Sequence, residues 1–475
     1  MSYLVARSRW LATAVAGLIA TGCASLDPGP VRQPEPAASS WIAPLPHSGQ
    51  TASLEAWWQT FHDEPLRALQ QAAQRSNPDL DRALAAIGRA RADLIIGRAV
   101  SLPQLSLQSN VTSAGDLHYA SYRTTSTSHL LDASWETDLF GRNRRNVAAL
   151  EAERDALGAD WHNARVSIAA EVATNYIDYR GCRQRARAYL DQDASYRKTI
   201  ALARVNVDAG FTAPADYRLT AAGAEGAAGN VIAEEARCET LVKSLVPLTG
   251  LPESQIRTTL GEDLPALPGP ENFEVATVPA DLLRQRPDVA AADRRLAAAY
   301  QRIGVAQAAR WPDLSLTGSI GLAHNISVSP ATLPWSIAST LALPLYSAGA
   351  NAAQVDAARA DYDSVLADYE SLVRRAVLEV ELALVNLDGA TRRAHEVTAS
   401  AENYRSYFRA AEIDWKAGRL PLLDLETARR NAVTAELLAI DVNTTRVEQW
   451  IALYKALGGG WNRQLAASDT DRGTP

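Results

Sequence analysis

The stretch Pro78-Asp79-Leu80, running through Ile87, Leu94 and Ile96 to Pro103-Gln104-Leu105-Ser106-Leu107, returns later in the same chain without a gap. Its second copy is Pro287-Asp288-Val289, through Leu296, Ile303 and Val305 to Pro312-Asp313-Leu314-Ser315-Leu316. Between the paired prolines each copy is Ala-rich with apolar residues at matching places, the pattern of a helix that a proline closes. Farther on, Ala209-Gly210 followed by Asp216 matches Ala417-Gly418 followed by Asp424, and Leu245 with Gly250 matches Leu453 with Gly458. Self-similarity at so long a period points to two copies of one structural unit.

Within each unit the chain changes character after the closing proline. Leu105, Leu107, Ser109 and Val111 alternate with polar residues, as do Leu314, Leu316, Gly318, Ile320 and Leu322. Period two over about ten residues is the signature of a transmembrane barrel strand. The expected strands cover about 104–113, 128–139, 313–322 and 335–345, with polar hairpin loops at 114–127 and 323–334. Four strands do not close a barrel, because single-chain barrels begin at about eight and an open edge in lipid leaves backbone groups unpaired. Several chains must therefore share one barrel, the alternative being a soluble antiparallel sheet.

The remaining segments are helical and long. No proline interrupts Asn143 to Val207 or Ala348 to Lys416, and each run at about 1.5 Å per residue permits a helix of about 100 Å. Heptad spacing appears in Val373, Val377, Val380, Leu384 and Leu387, and with smaller residues in Ala428, Ala432, Ala435, Ala439 and Val442. The long hairpins are expected to turn near 210–213 and 417–421. The chain divides into a first repeat at 51–250, a linker at 251–286, a second repeat at 287–458 and a polar tail at 459–475.

The 475 residues are 47% apolar, and 47 basic against 54 acidic side chains leave a net charge of −7. That balance offers no electrostatic footprint for nucleic acid. Residues 1–22 read as a secretory signal, with Arg7 and Arg9 ahead of the short apolar run Trp10 to Ala20. It ends in Ala20-Thr21-Gly22-Cys23, which resembles the lipobox of bacterial lipoproteins, with Ala20 where that motif usually has Leu. Cleavage there makes Cys23 the lipidated N-terminus, the one covalent group expected, with no other cofactor. Ala24 in place of Asp favours the outer membrane. Residues 23–50, with six prolines, read as a semi-rigid tether.

Three motifs stand out: Trp57-Trp58 with Phe61, Asp63, Pro65, Leu66 and Leu69; Trp135-Glu136-Thr137-Asp138-Leu139-Phe140-Gly141-Arg142; and Leu282-Leu283-Arg284-Gln285-Arg286-Pro287-Asp288-Val289, continuing through Ile303-Gly304 to Pro312 and Gly321. Together they resemble the TolC-like outer-membrane factor family, in particular its NodT-type efflux lipoproteins. The resemblance implies a homotrimer whose twelve strands form one barrel above a periplasmic tunnel of coiled-coil helices. It also implies a periplasmic adaptor and an inner-membrane pump of the resistance-nodulation-division type as partners. By motif match it puts the gate at Asp424 and Leu420. A ring of Asp424 carboxylates would repel itself and attract cations. The alternative is that Asp424 caps its helix, and Asp216, the matching residue of the first repeat, reads as a cap or a second ring.

Cys182 precedes the first hairpin turn by about as many residues as Cys238 follows it, which permits a disulfide in an oxidising periplasm; two buried free thiols are the alternative. Catalytic and metal sites find no support. The seven histidines, His118 and His129 among them, have no ligand spacing, and there is no phosphate loop or nucleophile elbow. The single Met argues against a dedicated copper or silver pathway. The function expected is a passive exit duct for small molecules, with a type I protein-secretion duct or a non-transporting trimeric surface lipoprotein as rivals.

Overall fold

In the computed structural model, described for residues 31–33, 42–43, 54–115, 123–211, 213–261, 267–270, 285–325 and 330–461, the elements fall in two matching series. After a 3-10 helix at Leu54–Phe61, the first series is α1 (Glu64–Ser76), α2 (Pro78–Ala99), β1 (Gln104–Gly115), β2 (Arg123–Thr137), α3 (Arg142–Asp208) and α4 (Pro214–Thr249). After α5 (Glu253–Leu260), the second is α6 (Pro287–Ala308), β3 (Asp313–Asn325), β4 (Trp335–Ala342), α7 (Ala350–Lys416) and α8 (Leu422–Ala456). α2 and α6 each have 22 residues, α3 and α7 each 67. The duplication read from the prolines is thus a duplication of whole elements. Cys23, the signal, most of the tether, His118 and the tail beyond 461 lie outside the described residues.

The chain forms two compact units. The first, containing 85–159 and 290–371, holds the sheet, in which the four strands pair antiparallel in the order β1-β2-β3-β4. Register sorts the side chains cleanly. Leu107, Leu131, Ile320 and Trp335 form one row across all four strands, and all four are exposed. The neighbouring row is Ser106, Asp132, Ser319 and Ser336, with Ser319 and Ser336 hydroxyls 2.8 Å apart. One face is an apolar surface without cover among the described residues and the other is polar, the division a barrel wall makes between lipid and lumen. In the same unit, Leu296, Ala299, Ile303, Tyr362 and Leu366 pack α6 on α7.

Two strand ends fall short of the sequence expectation. β2 runs from Arg123 to Thr137, not to 139, because the Asp138 carboxylate accepts the N–H groups of Asn143 and Arg144 in the first turn of α3 and so belongs to the helix start. β4 ends at Ala342, not 345, since Pro344 has no N–H to give the ladder. The β1–β2 and β3–β4 strand pairs also reach farther into their loops than expected, to Gly115, Arg123 and Asn325.

The second unit, containing 36–84, 160–289 and 372–475, has the larger core. Trp57, Leu66, Leu69, Tyr176, Ile177, Leu245, Leu384, Leu387, Ile451 and Leu453 are buried together. Trp57 stacks on Tyr454 at 4.8 Å. Asp63 explains the opening motif: it caps α1 through the Leu66 N–H at 3.0 Å, and also accepts from Tyr176 Oη at 2.7 Å and from Arg180 Nη1 at 2.9 Å. Burial and the adjacent carboxylate push the Tyr176 hydroxyl well above the ordinary phenol range. Arg286 explains the Arg-Pro-Asp motif. It pairs with Asp288 at 2.7 Å and Glu379 at 2.8 Å, and donates to the Ala456 carbonyl at 2.8 Å where α8 ends. Gly250 and Gly458 end α4 and α8 at positive φ, and a Cβ there would meet the carbonyls of Ser76 and Gln285 at 2.7 and 2.5 Å. No helix among the described residues is long and apolar enough to cross a membrane.

Candidate gate and the hairpin that carries it

Both long hairpins turn by the same device. In the first, Gly210 at φ +77° donates to Val207 O and Phe211 donates to Asn206 O; in the second, Gly418 at φ +72° donates to Trp415 O and Arg419 donates to Asp414 O. This is the Schellman arrangement, which needs a left-handed residue after the last helical turn and so selects glycine. A proline then restarts each return helix, Pro214 as its first residue and Pro421 just before it. The Ala-Gly...Asp spacing read from the sequence is the covalent trace of this turn.

Asp216 and Asp424 therefore hold equivalent places, the third residue of α4 and of α8. Neither is the cap. The N-cap positions are Ala213 and Pro421, which make no side-chain cap hydrogen bond, so the capping role considered for Asp216 and Asp424 is corrected: each carboxylate lies in the first turn, where the helix dipole favours negative charge. Asp424 is exposed and Asp216 half-buried. Leu420 is half-buried and packs on the cluster of Ala203, Ala411, Leu422, Leu425 and Ala428 at the turn. Leu423, at 52%, and Phe211, at 84%, are among the large apolar side chains left exposed near the turns. Neither was singled out in the sequence, because turn residues carry no periodicity from which a face can be read.

Behind the turn sits a buried ionic group that the heptad pattern concealed. Arg429, 1% exposed, interrupts the small-residue seam of α8 between Ala428 and Ala432. Its Nη1 donates to Glu426 at 2.5 Å and its Nη2 to the Thr199 hydroxyl of α3 at 2.5 Å. The guanidinium lies over the rings of Tyr196, at 4.5 Å, and Phe408, at 5.5 Å. Burial raises the Glu426 carboxyl above its usual range, against the opposing pull of Arg429. This group fastens the return helix of the second hairpin to the long helix of the first.

A second fastening lies farther along the same helices. The sulfurs of Cys182 in α3 and Cys238 in α4 are 2.06 Å apart, with Cα atoms 5.7 Å apart. Arg185, buried beside them, bridges Glu234 of α4 at 2.6 Å and Asp441 of α8 at 2.8 Å. A Cβ on Gly181 would stand 2.5 Å from the Thr444 hydroxyl, so α8 lies close against α3 at this level. Burial, and the hydrogen bond that protonated Glu448 donates to the Asp178 carboxylate, raise Glu448 to about 7. Among the described residues no cluster of His, Cys, Asp and Glu could hold a metal ion.

The family model described as outer membrane efflux protein matches residues 69–251 and 278–459, one match on each half of the duplicated chain. The chain belongs to the outer membrane efflux protein family. Relatives of this efflux protein include Nodulation protein T of Rhizobium leguminosarum bv. trifolii, 29% identical over 87% of this chain and 90% of the relative. Another is the probable efflux pump outer membrane protein TtgC of Pseudomonas putida, 29% identical over 97% of each chain. Among solved structures, the outer-membrane channel OprN superposes with a TM-score of 0.82 at 28% identity, over 91% of this efflux protein and 99% of that chain. The TolC-like fold, the outer membrane and a place in an efflux system follow from these likenesses.

Proposed function

We propose that this efflux protein is one third of a closed exit duct, with three copies joining their sheets into a twelve-stranded barrel. The observation that carries the reading is the sheet itself: an exposed apolar face, a polar face, and β1 and β4 each with one edge unpaired among the described residues. Water on the polar side and lipid on the apolar side satisfy both faces. Further copies satisfy the edges, which lipid does not. The helical hairpins then form a periplasmic tunnel that meets an adaptor, and an inner-membrane pump of the resistance-nodulation-division type supplies the energy, in keeping with the efflux names of the relatives. Small molecules cross unchanged.

In this reading Cys23 carries the lipid that anchors the N-terminus, and several acyl chains at about 0.8 kcal/mol per buried methylene hold where a single chain would not. The exposed Asp424 lines the narrowing at the hairpin turns, and Leu420 braces that turn from behind.

The test is reconstitution of the purified full-length protein in planar bilayers, with native mass spectrometry of the same sample. Three subunits and cation-preferring conductance are expected. A trimer without conductance would leave a scaffold in place of a duct, and a monomeric conductor would overturn the shared barrel.

A further inference from the structure

The apolar face of the sheet gives out at one level on three strands. Along β3 that face bears Leu314, Leu316, Gly318, Ile320 and Leu322, and the next residue on it is His324. Along β2 it bears Trp135, Ala133 and Leu131, followed by His129. Along β1 it bears Leu105 and Leu107, followed by Ser109. The run from Leu314 to Leu322 covers about 27 Å of strand, close to the apolar band of about 25 Å that a membrane barrel presents to lipid. Both histidines therefore stand where that band ends, on the side away from the helices, as the strands approach their hairpin loops.

Register brings the two imidazoles together. His129 pairs with Leu322 and Thr127 with His324, so the histidines are diagonal neighbours on adjacent strands of one face. Residues in that relation lie about 7–8 Å apart, within reach of each other for ring side chains. His129 is exposed, and its Nδ1 is 2.7 Å from the Ser109 hydroxyl. A hydroxyl donates to a neutral Nδ1 or accepts from a protonated one, so Nε2 keeps its N–H for a ligand in both states. His324 is half-buried, and its Nδ1 has no partner among the described residues. Charge is sorted too: Asp132, Glu136 and Asp313, the carboxylates of the four strands, all fall on the polar face. A metal ion needs more ligands than two imidazoles, and no third joins them among the described residues. An anion that accepts two N–H groups at the end of the acyl chains fits better, and a lipid phosphate is such an anion.

We propose that His129 and His324 form a binding site for the phosphate of an outer-leaflet lipid, whose acyl chains lie on the adjoining apolar band. The inference rests on the barrel reading given above. Ser109 is a positioning residue that holds the His129 ring. The neighbours on that face, Ser109 and Val111 of β1, Thr127 of β2, Leu322 of β3 and Trp335 of β4, are uncharged. An imidazole carries its charge in mildly acidic water and loses it in mildly basic water, so the grip strengthens as pH falls.

The test places the full-length protein in nanodiscs of phosphatidylcholine with a minor share of phosphatidic acid. Native mass spectrometry then counts the lipids of each kind that stay on the protein. At pH 6 phosphatidic acid should be retained about tenfold above its share, the gain expected of a charge-assisted hydrogen bond. At pH 8 the excess should fall about threefold or more. His129→Gln with His324→Gln should erase it, and His129→Gln alone, at an exposed position, should remove most of it should the double variant not assemble. Asp132→Asn, on the opposite face, should leave it. An excess unchanged in the histidine variants would overturn the site. Millimolar inorganic phosphate should not displace the lipid; displacement would reveal a site for free anions and overturn the lipid assignment. Loss of the excess on adding EDTA would give the contact to a metal ion and overturn it as well. Native trimers without any excess would remove the site and leave the barrel standing, whereas native monomers in the same spectra would overturn the barrel itself.

Discussion

The guanidinium of Arg429 in α8 lies 4.5 Å from the centre of the Tyr196 ring in α3, and the same group reaches Thr199 and Glu426. A buried ion pair of this kind contributes little net stability when whole, yet removing one partner leaves an uncompensated charge. Arg429→Ala should destabilise the protein by about 3 kcal/mol. The double variant with Glu426→Gln should recover a large part of that loss. Denaturant midpoints of the single and double variants provide the check, and equal losses in both would show that Glu426 does not depend on Arg429.

Asp424 stands exposed in the first turn of α8. If three copies face one another at the axis, Asp424→Ala should remove both the cation preference and part of the constriction, raising single-channel conductance. Asp216→Ala, at the equivalent but half-buried place, should change it less. Identical conductance in the native protein and Asp424→Ala would rule out the gate assignment.

Glu448 titrates near neutrality in contact with Asp178, with Arg185 and Arg237 pulling the other way. Its folded value, about 7, lies above its ordinary value of 4.5. The stabilisation from the shared proton is therefore full below pH 4.5 and is lost as pH rises through about 7. Relative to Glu448→Gln, the native chain should lose about 2 kcal/mol between pH 5 and pH 8, a figure discounted for partial solvent contact. Urea midpoints of both proteins across that range measure it, and parallel curves would contradict the prediction.

The Cys182 and Cys238 sulfurs enclose a loop with a sequence separation of 56. Non-reducing peptide mapping should recover the two peptides joined. A bond closing a loop of that length restricts the unfolded chain by about 4 kcal/mol. The Cys182→Ser, Cys238→Ser double variant should melt at a lower temperature by a corresponding amount, and reductant should lower the native protein's melting point but not the variant's.

How much of the molecule was legible in the residues differs from feature to feature. The paired prolines, the Ala-Gly...Asp spacings and the alternation after Pro103 and Pro312 led to two repeats, four strands and two long hairpins, because helix breaks, left-handed turns and strand alternation are local properties written in consecutive residues. The proposal of partner chains is likewise rooted in the sequence, since four strands leave edges that lipid does not satisfy. Local patterning could not say where β2 would stop, because Asp138 is equally suited to a strand end and to the helix cap it became.

Three features were decided only by the tertiary structure. Arg429 reads in sequence as one more charge on a wetted face, and it is the packing of α8 against Tyr196, Thr199 and Phe408 that buries it. Leu420 reads as a companion of Asp424, yet the turn folds it back on the cluster with Leu425. The grip of Glu370 on Arg32 joins residues 338 positions apart. The sequence alone determined the elements and their repetition, because those depend on neighbours within a few residues. The ionic fastenings, the Arg32 pair included, depend on which faces meet, and that is settled by packing between segments far apart in the chain.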